Sequence, residues 1–336
     1  MPYQSQQPLT GTILVADDQA PNRELLEELL TAQGFKVITA PDGASALGEL
    51  TQTQVDLVIL DVMMPRLSGF AVCQKIKSNP ETDLVPVVLV TALSDKRDRL
   101  EGIKAGADDF LTRPVDRTEL LARVRSLLKL KFRTDELERA ESVLFSLARS
   151  IEGKDPYTHG HCERLAEKSV RLGEQVGLSG DQITALRRAG VVHDIGKVAV
   201  PDAILLKPAR LTPEEWDVIR QHPIVGERIC APLKSFRSVL PIIRHHHERY
   251  DGSGYPDGLR GEAIPIAARV LQIVDVFDAL TTERPYKKAL PCIEALTTMR
   301  EEVAKGWWDP EIFDQFERLI SRTTEDALSR GTSAGH

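Results

Sequence analysis

Between residues 11 and 115 short apolar, β-rich runs alternate with stretches of helical periodicity, and this limits the fold more than any other feature. The runs are Thr12–Ala16, Lys36–Thr39, Asp56–Leu60, Pro86–Val90 and Asp109–Thr112. The helical stretches are Asn22–Gln33, Gly43–Leu50, Val72–Lys77, Asp95–Ala105 and, closing the series, Arg117–Leu130. Strands that are nearly all apolar need cover on both faces. Alternation with helices supplies that cover through parallel crossovers, so the expectation is a five-stranded parallel sheet between helical layers.

In such sheets ligands bind beyond the carboxyl ends of the strands. Asp17 and Asp18 follow the first run, Asp61 follows the third, Thr91 ends the fourth, and Arg113-Pro114 follows the fifth. One Asp at a strand end is usually a helix cap or a turn residue. Three together repel one another and raise each other's pKa unless a cation intervenes. Mg²⁺ suits them, because it takes a few carboxylates and fills its shell with water and phosphate oxygens. Thr91 could hydrogen-bond a phosphoryl group, and Arg113 supplies a positive charge.

The ordered set over residues 11–130 resembles the response-regulator receiver family, whose fold is α/β and flavodoxin-like. The stretch Asp61-Val-Met-Met-Pro65-Arg-Leu-Ser-Gly69 is similar to that family's phosphoacceptor loop. The resemblance implies that Asp61 accepts phosphate from a cognate sensor histidine kinase, while Asp17, Asp18 and Asp61 hold Mg²⁺. Thr91 and Phe110 would form the switch pair. Arg113 stands where the family carries Lys, and a planar, bulkier cation there is not a neutral exchange.

Beyond Asp155 helical patterns dominate: Cys162–Val176, Asp181–His193, Pro213–Gln221, Ile224–Leu233, Val239–His246, Pro265–Thr281 and Ile293–Ala304. A chain of 336 residues exceeds the size at which single cores stop growing. The expected division is 11–130, a linker helix over 131–151, an all-α domain over 152–325, and a disordered tail over 326–336. The stretch Thr118–Ile151 reads as one long helix or two stacked ones, with the boundary expected in the charged segment Lys129–Arg139. Leu137, Ala140, Leu144, Leu147 and Ile151 recur at spacings of three and four. That seam suits either a partner helix, giving a homodimer, or the chain's own domain.

None of the eight histidines lies in residues 1–150, and seven lie between His159 and His247. A lone helical His is usually a core or surface residue, so the reading depends on companions. His193-Asp194 closes an apolar helix, and adjacent imidazole and carboxylate groups can share an ion. Lys197 would share the His193 face if that helix continued. Asp275 and Asp278 fall in an apolar helix, where a carboxylate is normally paired or metal-bound.

The tract His246-His247-Glu-Arg-Tyr-Asp251-Gly252-Ser-Gly254-Tyr255-Pro256-Asp-Gly258 resembles the HD-GYP branch of the HD metal phosphohydrolases. Matching stretches include Ile195-Gly-Lys197, Lys207-Pro208 and Asp275-Val-Phe-Asp278, with Arg284-Pro285-Tyr286 beyond; together they span about 150–315. The resemblance implies a metal-dependent cyclic di-GMP phosphodiesterase. His161, His193, Asp194 and Asp275 would hold one ion. His222, His246 and His247 would hold a second, bridged by Asp194. Some members take a third ion through a Glu that is Tyr157 here, so two ions are expected, with Fe or Mn favoured by the donor set. Asp194 and Lys197 would act in catalysis, cleaving the diester to pGpG and then GMP. Lys197, Gly254, Tyr255, Pro256, Asp278, Arg284 and Lys287 would contact substrate. Tyr255 could pack on a guanine or brace its loop. The alternatives are a non-catalytic cyclic di-GMP sensor or scaffold acting through the Gly-Tyr-Pro tract, and an HD phosphohydrolase acting on other nucleotides.

A net charge of −7 and a pI near 5.7 argue against a DNA-binding stripe. Four scattered cysteines with no Cys-x-x-Cys pair read as free thiols. No stretch approaches the apolar length of a membrane helix, and Met1–Thr10 has no signal-peptide pattern. The location expected from this is cytoplasmic.

Overall fold

The computed structural model describes residues 9–91, 96–153, 160–283 and 288–333. The chain divides into two compact units, the division falling between Ala140 and Glu141.

The first unit runs β1 (Thr12–Ala16), α1 (Ala20–Thr31), β2 (Lys36–Ala40), α2 (Gly43–Gln52), β3 (Leu57–Asp61), α3 (Gly69–Ser78), β4 (Val87–Thr91), α4 (Lys96–Lys104), β5 (Asp109–Thr112) and α5 (Arg117–Glu152). The strands form one sheet in the order β2-β1-β3-β4-β5, and every pairing is parallel. This is the expected flavodoxin-like α/β fold. Boundaries move by a few residues where local chemistry decides; α1 starts at Ala20 because Pro21 fits its first turn.

Alternate strand residues feed two cores. Leu14, Val58, Leu60 and Leu89 face one side with Val72 and Ile76 of α3. Ile13, Val15, Ile59 and Val90 face the other with Leu26 and Leu30 of α1 and Leu120, Val124 and Leu128 of α5. Each fully buried aliphatic side chain contributes about 1.5–3 kcal/mol relative to exposure. Register pairs Ala16 with Leu60 and Asp61 with Val90. The residues after β1, the last residue of β3 and the last of β4 therefore reach one edge.

Helix α5 is continuous for 36 residues. No Gly or Pro interrupts it before Gly153, so residues 131–151 continue the helix that begins at Arg117, the first of the two expected arrangements. The apolar seam is split between two environments. Leu144 and Ala148 are buried in the second unit's core and Ile151 packs on it, whereas Leu137 and Leu147 are 46% and 53% exposed.

The second unit is helical: α6 (His161–Gln175), α7 (Gly180–Val192), α8 (Asp202–Leu205), α9 (Pro213–Ile219), α10 (His222–Cys230), α11 (Leu240–His245), α12 (Ile266–Thr281), α13 (Cys292–Ala304) and α14 (Pro310–Ser333). A 3₁₀ turn, Ile195–Ala199, follows α7. Helix α12 is apolar around most of its surface and is buried among the others. Helix α14 runs to Ser333, where a disordered tail was expected from residue 326. The segment 323–330 contains no helix breaker; the stop signal begins only at Gly331. Among the described residues no helix is long and apolar enough to cross a membrane. The four cysteines are free thiols.

Candidate metal centre and phosphoacceptor site

Four segments bring imidazoles together in the second unit. The first turn of α6 carries His161, the end of α7 leads into His193-Asp194, α10 opens with His222, and α11 runs into His246-His247. Helix α12 adds Asp275. Two adjoining clusters result: His161, His193 and Asp275, and Asp194, His222, His246 and His247. Within each cluster, one nitrogen or oxygen per residue lies within 4.8 Å of the others.

Backbone carbonyls set the aim of these rings. Nδ1 of His193 lies 3.2 Å from the Gly190 carbonyl, Nδ1 of His222 2.7 Å from that of Ile219, and Nδ1 of His246 2.6 Å from that of Ile243. A carbonyl only accepts, so each Nδ1 carries the proton and each Nε2 presents a lone pair. The Nε2 atoms of His222 and His246 lie 3.3 Å apart, two acceptors facing each other. Nε2 of His193 and Oδ1 of Asp194 are buried with no hydrogen-bond partner. Lone pairs converging in this way are costly among protein groups alone, and a cation relieves them. The residues therefore fit a divalent metal.

Asp194 lies between the clusters. Its Oδ1 is 3.2 Å from His222 Nε2, and its Oδ2 is 3.3 Å from His193 Nε2. Burial opposes its charge, but Lys197, His193 and His222 hold its carboxyl well below the usual range. Burial also opposes the charge of Asp275, which His161 and His193 keep ionised. Burial pushes His247 down to about 3 and keeps it neutral. The His247 ring stacks on Tyr255 with centroids 4.9 Å apart.

Two expected placements change. Asp278 does not reach a substrate position: it is 1% exposed and accepts from His161 Nδ1 at 2.8 Å, Arg164 at 2.9 Å and Lys168 at 3.0 Å. It orients His161. Burial works against protonation of His161, yet Asp275 and Asp278 outweigh it and raise the pKa to about 10. Lys197 does not share a helical face with His193, because α7 stops at Val192 and the 3₁₀ turn redirects the chain. Its ammonium instead bonds Asp194 Oδ2 at 2.5 Å. Gly254 lines the cavity beside His246 and His247 and also packs tightly within its own loop: a Cβ there would lie 2.1 Å from the Arg249 nitrogen. Tyr255 braces His247. Arg284, Lys287 and Tyr157 lie outside the described residues.

Glu248 was not singled out from sequence, although it sits inside the quoted tract. It is fully buried, and its carboxylate accepts from the backbone nitrogens of Asp257, Gly258 and Leu259 at 2.7, 3.1 and 3.0 Å. This folds the Gly-Tyr-Pro segment inward, leaving Ser253, Asp257 and Gly258 exposed. His245, between the two tracts, points away from the clusters and bonds Asp257 at 3.0 Å.

A cavity of about 610 Å³ opens onto His246, His247 and Asp275. Its other lining residues include Trp216, Arg220, Arg249, Tyr255 and Trp307.

In the first unit Asp17, Asp18 and Asp61 form a third cluster at the sheet edge. Thr91 ends β4 nearby and is buried; the Arg99 guanidinium lies 5.9 Å from the Phe110 ring centroid. Arg113 pairs with Asp17 and, at 2.9 Å, with Asp61. Burial raises the Asp61 pKa; Arg113 opposes the rise, and Asp17 and Asp18 add to it.

Fold and site together define a response-regulator receiver joined to a metal-dependent phosphodiesterase. Residues 13–125 match the response regulator receiver domain, and residues 146–312 match the HD domain. The chain is 36% identical over 342 residues to the "Cyclic di-GMP phosphodiesterase response regulator RpfG" of Xanthomonas campestris pv. campestris, covering 95% of this chain and 87% of that protein. It is 35% identical over 348 residues to the "Cyclic di-GMP phosphodiesterase" of Thermotoga maritima, covering 94% and 92%. The "3'3'-cGAMP-specific phosphodiesterase 3" of Vibrio cholerae is 36% identical over 181 residues, covering 54% of this chain and 39% of that one. The chain belongs to the family of cyclic di-GMP phosphodiesterase response regulators.

Two predictions follow from this geometry. A Cβ on Gly196 would lie 1.9 Å from the His222 carbonyl oxygen and 2.6 Å from the Gly226 nitrogen. Gly196→Ala should therefore force α10 away from the His193-Asp194 turn, costing about 3 kcal/mol of stability and lowering bound metal. Thermal melting with elemental analysis checks it, and wild-type values in both would refute the packing argument. For Asp61 the sign runs the other way from a salt-bridged acid. Its stabilisation is complete below the unfolded value near 3.8 and is lost as pH rises through the raised folded value. Asp61→Asn should raise the melting temperature of the Mg²⁺-free protein at pH 7, with the gain shrinking toward pH 4. A gain that persists at pH 4 would contradict this.

Proposed function

We propose that the chain hydrolyses cyclic di-GMP to linear pGpG at the paired clusters, and then more slowly to GMP. The observation carrying this is the set of inward-facing lone pairs, unpartnered on His193 and Asp194 and opposed to each other on His222 and His246, beside a cavity large enough for a nucleotide. His161, His193 and Asp275 would hold one ion, and His222, His246 and His247 the other, with one Asp194 oxygen turned to each. Bound Fe or Mn would supply a water of lowered pKa and neutralise charge on the phosphoryl oxygens. Asp278 fixes His161, three backbone carbonyls fix His193, His222 and His246, Tyr255 stacks on His247, and Lys197 balances the Asp194 carboxylate. Catalysis is favoured over a sensor or scaffold because every expected ligand is present, and the Gly-Tyr-Pro tract turns toward His247 instead of outward.

Mass spectrometry should find pGpG when cyclic di-GMP is incubated with Mn²⁺- or Fe²⁺-loaded protein, and Asp194→Ala should abolish it. Tight binding of unchanged cyclic di-GMP would instead identify a sensor. Faster turnover of 3'3'-cGAMP, run in parallel, would reassign the substrate.

Regulation would begin with a sensor histidine kinase phosphorylating Asp61, with Asp17 and Asp18 assisting through Mg²⁺. Arg113 already bridges Asp17 and Asp61, so a phosphoryl group must compete for the same guanidinium. Helix α5 would carry the change. Its last residue, Glu152, accepts from the backbone nitrogens of His161 at 2.7 Å and Cys162 at 3.2 Å. A shift of α5 would thus act on the turn that presents a metal ligand. The exposed Leu137 and Leu147 on α5 would pair with the same helix of a second copy. Beryllofluoride with Mg²⁺ should change turnover, sedimentation mass or both in wild type and neither in Asp61→Asn. In Glu152→Gln the turnover response should weaken. No response in wild type would reject the relay.

A further inference from the structure

The chain contains three tryptophans, and Trp216, Trp307 and Trp308 all line the cavity beside His246 and His247. They are not equivalent. Trp308 is buried and anchored, its Nε1 donating to Glu302 at 2.9 Å. Trp216 is 45% exposed. Trp307 is partly buried and carries the guanidinium carbon of Arg249 at 3.8 Å from its ring centroid. At that distance the guanidinium lies over the indole face, which restrains it while leaving its N–H edges open. Among the described residues, Arg249 makes no hydrogen bond or ion pair with its side chain. A restrained donor fork beside a cavity is an arrangement for recognition.

The chemistry of the wall says what it recognises. An Arg fork pairs with two adjacent acceptors, which guanine offers at O6 and N7; adenine replaces O6 with a donor. Aromatic faces stack on any purine. The same wall carries Asp217 and Glu302, which repel a phosphate but can accept from the N–H groups on guanine's other edge. We propose that Arg249, braced on Trp307, reads guanine in this cavity, with Trp216 as the stacking face. The inference rests on the cyclic dinucleotide reading of the site and adds the residue that selects the base.

The test uses tryptophan fluorescence of the full chain titrated with GMP and with AMP. The two ligands share a phosphate, so their ratio isolates the base, and every tryptophan of the chain reports from this cavity. Wild type should prefer GMP, and Arg249→Ala should weaken GMP by roughly 10–100-fold while leaving AMP binding where it was. Arg249→Lys should fail to restore the preference, because a point charge lacks the fork. Equal weakening of both nucleotides, or restoration by Lys, would show that Arg249 grips phosphate and overturn the proposal. A wild type without preference overturns it too. Should Arg249→Ala melt early, Arg249→Gln decides the same question. Binding is read without turnover, so GMP preference in a protein that leaves cyclic di-GMP intact would sink the catalytic reading and keep this one.

Discussion

The second unit is organised around buried imidazoles whose Nδ1 protons are committed to backbone carbonyls. Gly190, Ile219 and Ile243 each supply that carbonyl, three residues before the histidine it orients. The i−3 spacing at a helix end makes the bond local and robust, and it leaves Nε2 no choice but to face inward. Among the described residues His247, stacked on Tyr255, and His161 have no such carbonyl. For His161 the partner is the Asp278 carboxylate, and Arg164 and Lys168 offset the buried charge of that carboxylate. Removing water from these groups is tolerable because their unpaired electrons are available to a cation.

Both units meet the same electrostatic problem in different ways. The receiver gathers three carboxylates at the carboxyl ends of its strands, where burial and the neighbouring Asp17 and Asp18 raise the Asp61 pKa and one guanidinium, that of Arg113, opposes the rise. The helical unit spreads two carboxylates among five imidazoles and gives Asp194 a lysine. The first arrangement leaves Asp18 exposed while Asp17 and Asp61 are buried. The second places buried lone pairs beside a cavity.

Continuity of α5 gives the two units a shared element. Leu120, Val124 and Leu128 belong to one core, and Leu144 and Ala148 to the other, with Glu152 capping the turn at His161. No breaker lies along it, so the helix needs no special device to persist. The heptad-like spacing of its apolar residues was ambiguous because one pattern serves an internal core and an external partner equally. Burial resolves it residue by residue: Leu144 inward, Leu137 and Leu147 outward.

Sequence alone determined the alternation that makes the sheet, the acidic residues at its strand ends, and the histidine and aspartate positions gathered in the two clusters. Those signals are local: short, nearly all-apolar runs, a short loop motif, and adjacent ligands such as His193-Asp194. Only the tertiary structure decided what long-range packing controls. It turned Asp278 into a support for His161 and directed Lys197 onto Asp194 through a 3₁₀ turn. It also assembled Trp216, Trp307 and Arg249 into one wall from segments far apart in the chain. Spacing says which residues share a face. Which face meets which depends on helices packing across more than a hundred residues, and no local pattern encodes that.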